Sequence, residues 1–167
     1  MPNPFRPIKH LIFQKGGIGR SLSREDTVRQ LNPVMKAHII LNHYHTFAME
    51  HQPNAAIAGE LTVLQKTARA DTGKLAETIY SAGGVAYSGV ELEPDAFTLS
   101  THPDAMLFEL LDHEEAFQTL LQAEFELDPF EHQLRTKAVL QNLVAHSEDR
   151  LRFLKEITRP RRRPTTS

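Results

Sequence analysis

Apolar residues recur along this chain three and four positions apart, in four blocks separated by proline- and glycine-containing breaks. That spacing stacks side chains on one face of an α-helix. In the first block, Ser23 ahead of Glu25 and Asp26 predicts a helix start, with acids in the first turn, where the helix dipole favours them. Asn32-Pro33 predicts a second start, asparagine as cap and proline at the first helical position, with the helix running to about Gln52. The piece before it reads as a separate short helix or a kinked extension.

Pro53-Asn54 breaks the pattern, after which Ile57, Leu61, Leu64, Ala68, Leu75 and Ile79 return at helical spacing. They predict one helix over 54–82, roughly 43 Å long at ~1.5 Å per residue. It stops on Gly83-Gly84, a pair suited to a left-handed C-terminal cap. Residues 85–103 hold Gly89, Pro94 and Pro103 and read as a connection with one short helical turn near Asp95–Leu99. A third helix starts near Pro103-Asp104 and carries Leu107, Leu110, Leu111, Phe117, Leu120 and Leu121. Asp128-Pro129 predicts the next cap, and the fourth helix runs from Pro129 to about Thr158 through Phe130, Leu134, Leu140, Leu143, Val144, Leu151 and Leu154. No stretch alternates as a strand would. The expected fold class is all-α: a four-helix bundle with one long crossover connection between helices 2 and 3. An irregular all-α domain is the alternative.

Composition narrows the function. The chain has 167 residues, 40% apolar and 24% charged, which suits a single globular core. It has no cysteine, which excludes disulfides, zinc ribbons and thiol catalysis. No run approaches eighteen apolar residues and the N-terminus lacks a secretion signal, so the expected location is cytoplasmic, away from membranes. The formal net charge of −2 is unevenly spread. Residues 1–24 carry Arg6, Lys9, Lys15, Arg20 and Arg24 and no acid, the tail carries Arg159, Arg161, Arg162 and Arg163, and the body between is strongly acidic. The expected organisation is a basic arm over 1–22, a bundle over 23–158 and a basic tail over 159–167. Lys9, Lys15 and the four tail arginines are the candidate DNA contacts, because flexible basic arms hold polyanions. Tails that merely aid solubility are the plain alternative.

The stretch "LAETIYSAGGVAYSG" resembles the end of the second bundle helix in the Dps proteins, the DNA-binding mini-ferritins of starved bacteria. "LNHYHTF" resembles the end of their first helix, and "LVAHSEDRLRFLKEI" their last. The resemblance covers roughly residues 23–158. It implies a ferritin-like bundle, a shell of twelve copies, and iron oxidised at sites shared between two subunits. Carried over residue by residue, the family's ligand positions fall on His45, Ala58, Thr62, Gly73 and Glu77, so two of five ligands are retained. His38, seven residues before His45, shares its helical face and is the expected third metal ligand. The metal set is thus His45, Glu77 and His38, with iron as the expected cofactor. Should the site be lost, Glu77 is expected to pair with a cation such as Lys74 or Arg69, or with a group of a partner chain. The resemblance also implies a threefold pore lined by acids, here Glu124, Glu126, Asp128 and Glu131. Capping of helix 4 by Asp128 is the bland reading of that cluster.

An intrabundle diiron site needs Glu-x-x-His on two helices, and this chain has none. "ELLDHEEAF" offers Glu109, Asp112, His113 and Glu114, and the apolar stripe passes His113 or Glu114. A carboxylate buried there would need a partner. "KGGIG" at 15–19 lacks the spacing and trailing residues of a phosphate loop. The expected functions are a Dps-like iron-storing, DNA-protecting shell protein with an altered site, a shell or DNA-binding protein of the same fold without iron oxidation, or a dimeric interaction module.

Overall fold

The structure, a computed structural model, describes residues 22–126 and 133–159. Lys9, Lys15, Asp128, Glu131 and Arg161–Arg163 lie outside the described residues, as does the expected cap at Asp128-Pro129. Four helices make up the body: α1 (Arg24–His51), α2 (Ala55–Ser81), α3 (Pro103–Glu126) and α4 (Leu134–Thr158). A 3-10 turn at Pro94–Ala96 interrupts the connection between α2 and α3. No strand occurs among the described residues.

The first helix differs from expectation. It is continuous from Arg24 and passes through Pro33. Its cap is Ser23, whose hydroxyl accepts from the Asp26 backbone N–H at 3.0 Å. Asn32 caps nothing. Its side-chain amide donates to the Val85 carbonyl (3.1 Å) and its oxygen accepts from the Tyr87 N–H (2.8 Å), pinning the crossover to α1. The Asn54 side chain caps α2, accepting from Ala56 and Ile57.

The end of α2 explains the paired glycines. The Gly84 N–H reaches back to the Ile79 carbonyl and the Gly83 N–H to the Tyr80 carbonyl, the two bonds of a Schellman cap. Gly83 has φ +82°, a left-handed conformation that glycine adopts cheaply. Gly84 is needed for space: a Cβ there would lie 2.3 Å from Val28 Cγ2.

α1 packs on α2 and α3, and α4 packs on the same two helices. The crossover climbs beside α1, from Asn32 past Ile39 to Phe97, which stacks on His43 (5.0 Å) and meets the Tyr44 ring edge-on (5.7 Å). The order is therefore up, down, down, up, every neighbouring pair is antiparallel, and the connection between helices 2 and 3 spans the bundle. This is the expected four-helix bundle with one long crossover.

The core divides into two apolar clusters. At one end Leu31, Val34, Leu75, Ile79, Phe117, Leu121, Leu140 and Leu143 pack together. At the other, Ala48, Leu61, Met106, Leu107, Leu110, Leu151 and Leu154 do so. Between them lies a polar belt.

Candidate functional site

Each helix brings polar side chains inward at mid-bundle because its apolar stripe is interrupted there. On α1 the stripe Leu31, Val34, Met35, Leu41, Ala48 includes His38 and His45, both 0% exposed. On α3 it includes Glu114, also 0% exposed, and on α4 it includes Ser147 (0%) and Arg150 (1%). α2 contributes Gln65 and Asp71.

Glu114 is the hub. One oxygen lies 3.0 Å from His45 Nε2, and the other accepts from Ser147 Oγ at 3.0 Å. Arg150 Nε donates to both oxygens at 2.9 and 3.0 Å, and its Nη2 lies 2.9 Å from Oε1. Burial alone would push the Glu114 carboxyl up. The hydrogen bond from His45 and the Arg150 charge outweigh that and hold it down at about 2. Glu114 is thus an anion at neutral pH, and the His45 nitrogen facing it carries the proton.

A second chain of hydrogen bonds fixes His38. Thr72 Oγ1 donates to the Ala68 carbonyl (3.0 Å) and accepts from Asn42 Nδ2 (3.1 Å), so His38 Nδ1, 3.3 Å away, must donate to it. The other His38 nitrogen keeps a bare lone pair, and the ring stacks on Phe117 at 4.8 Å. Burial lowers the His38 pKa to about 3, and the nearby Arg150 charge adds to that effect. At the edge of the belt, His146 Nδ1 lies 2.9 Å from both oxygens of Asp71. Burial raises the Asp71 carboxyl, opposed by the His146 hydrogen bond and charge and by Arg150.

The predicted metal residues are not brought together. His45 and His38 face the interior of their own bundle. Glu77 is on the outer face of α2, 60% exposed, with Lys74 at 3.3 Å as its partner. For a partner subunit's carboxylate to reach His45, the histidine would have to leave Glu114 and the core. Thr62 and Gly73, at two further positions of the expected ligand pattern, are exposed, and a Cβ on Gly73 would meet nothing within 4 Å, so they do not serve as packing surface within the chain. Of the expected pore acids, Glu124 is buried at 6% and Glu126 is exposed at the end of α3. Arg159 is exposed where α4 ends. Of the acid cluster on α3, Glu109 accepts from the Ser100 N–H at 2.7 Å and His113 stacks on Tyr44 at 3.8 Å; Glu114 alone enters the belt.

The belt also fails the chemical requirements of an internal diiron centre. Carboxylate-bridged bundles set Glu-x-x-His on two helices and one Glu on each of the other two, all inward. Here Glu114 on α3 has Phe117 and not histidine three positions on, His38 and His45 on α1 follow Met35 and Asn42 and not glutamate, and α2 and α4 bring Ala68–Asp71 and Ser147–Arg150 inward at that spacing. Glu114 is the one inward glutamate of the belt, and its oxygens are already taken by Arg150, Ser147 and His45. A guanidinium stays protonated, so it places a permanent cation beside the ligand a metal would need. Among the described residues no group of three or more His, Asp or Glu side chains converges as a metal site would require.

The arrangement defines a class: a one-crossover helical bundle whose centre is closed by an internal ion pair. No helix among the described residues is long and apolar enough to cross a membrane. The sequence matches no model of a known protein family and no curated protein.

Proposed function

We propose that this protein is a self-associating bundle of the ferritin-like, one-crossover type that acts as a structural and DNA-binding protein and does not oxidise iron within the bundle. The Arg150–Glu114 pair carries this reading. It supplies the positive charge that would otherwise come from a bound cation, and it uses the carboxylate that would bind one. Exposed Glu77, paired with Lys74, fits a position that has lost its metal role. The basic segments on an acidic body supply the DNA contact: each phosphate neutralised releases counterions, so binding falls steeply with salt and disregards base sequence. The Dps resemblance supports the shell and the DNA contact, and the belt argues against the iron chemistry.

Aerobic oxidation of ferrous iron at neutral pH tests the reading. The protein should oxidise iron no faster than buffer, while shifting duplex DNA in a salt-dependent manner and giving a solution mass of several chains. Oxidation clearly faster than buffer, abolished by His45→Ala or Glu77→Gln, would restore the iron-storing alternative.

A further inference from the structure

Opposite the buried stripe of α2 (Leu61, Ala68, Leu75, Ile79), a line of exposed residues runs Gly59, Thr62, Lys66, Ala70, Gly73 and Glu77 at helical spacing. Glycine is a poor choice for an exposed helix interior. Nothing among the described residues accounts for it here, since a Cβ on Gly59 or Gly73 would meet nothing within 4 Å. Small residues on an open helix face gain a use when another backbone comes close from outside.

The charges on the same line fit one such neighbour. Lys66 and Glu77 lie eleven residues apart, roughly 16 Å, too far to pair with each other. Ala70 and Gly73 lie between them. Both pairs are centred on one point, midway between positions 71 and 72. A two-fold axis through that point lays a second α2 antiparallel on the first. It sets Lys66 of each copy against Glu77 of the other, and Ala70 of each against Gly73 of the other, where the backbones cross. A parallel pairing would instead set Lys66 on Lys66 and Glu77 on Glu77. A different protein would not require this centring, whereas a second copy does. The groups are available. Lys66 has no ion partner among the described residues. Glu77 is 60% exposed and meets Lys74 through Oε2. Tyr80, 59% exposed, falls beside Thr62 of the second copy and adds apolar area at both ends of the contact.

We propose that two copies of this chain associate through the outer face of α2, antiparallel about a two-fold axis, with Lys66 and Glu77 paired across it and Ala70 packed on Gly73 at its centre. The placement rests on the self-association proposed above and names the face that carries it.

Sedimentation equilibrium of the full chain and of charge-reversed variants tests the contact. Lys66→Glu alone, or Glu77→Lys alone, sets like charges against each other twice across the axis and should weaken association about tenfold. The two reversals in one chain restore opposite charges and should recover the wild-type mass. Contacts within one chain cannot produce that recovery, because the two positions are too far apart on one helix. Gly73→Gln should also lower the mass while keeping the wild-type helical circular dichroism, since a side chain there has room in the single chain. Single reversals or Gly73→Gln that leave the mass unchanged, or a double reversal that fails to recover it, would overturn this contact and leave self-association to another face. A wild-type chain that stays monomeric at micromolar concentrations removes self-association itself, and this contact with it.

Discussion

Replacing Arg150 with methionine, which keeps most of the volume, should be among the most damaging single changes in this protein. The substitution strands the Glu114 carboxylate at 0% exposure with only His45 and Ser147 as partners. Breaking one side of a buried pair costs about 3–5 kcal/mol, a large share of the ~5–15 kcal/mol by which such domains are stable. Glu114→Gln together with Arg150→Met removes both charges yet leaves an oxygen to accept from His45 and Ser147. The double variant should therefore be more stable than Arg150→Met alone. The pH dependence gives a second reading. In the wild type the Glu114 pKa is depressed from 4.5 to about 2, so its contribution is fully present above pH 4.5 and lost as pH falls toward 2. The shift corresponds to about 3 kcal/mol. Without Arg150 the burial penalty remains and the largest opposing charge is gone. The pKa rises, and stability lost at neutral pH is partly regained on acidification. Urea unfolding followed by helical circular dichroism at pH 7 and pH 4 measures both effects. A cost below about 1 kcal/mol for Arg150→Met, with unchanged acid sensitivity, would refute a central ion pair.

Three further outcomes follow from the same geometry. His38→Leu should flatten the wild type's loss of stability between pH 6.5 and 3, because a depressed histidine pKa contributes above 6.5 and is lost as pH falls through about 3; the linked energy, about 5 kcal/mol at most, is read from denaturation midpoints across that range. Gly84→Ala should destabilise by about 1–3 kcal/mol through the clash with Val28, and Val28→Ala in the same chain should recover part of it in thermal melts. Asn32→Ala removes both side-chain bonds to the crossover, costing about 1–3 kcal/mol, and should raise hydrogen exchange and proteolysis over residues 85–97 while sparing α4.

The bundle was legible because its apolar stripes are long and regular, and the breaks at Pro53-Asn54 and Gly83-Gly84 fall where helices end. Asn32-Pro33 misled for a local reason. The pair has the chemistry of a helix start, but the asparagine amide is used 53 residues away on Val85, a contact no local pattern encodes. The belt was half-legible. His38 and His45 lie in register with Leu31, Leu41 and Ala48, so the stripe alone places them inward. The family resemblance instead implies a site shared between two subunits for His45. Ser147 and Arg150 interrupt the stripe of Leu143, Leu151 and Leu154 in the same way, and that interruption was the available signal. What the stripe does not encode is that the polar residues of four helices meet at one level, because that depends on helix register across the bundle. Once they meet, Glu114 finds the partner that a buried carboxylate requires.

The most direct test of the ion-paired centre is a crystal structure of the protein grown or soaked with ferrous iron in air, with data collected at the iron absorption edge. The account predicts no anomalous peak inside the bundle and Arg150 still bonded to both oxygens of Glu114. An iron peak within coordination distance of Glu114 and His45, with the Arg150 side chain displaced from them, would contradict it.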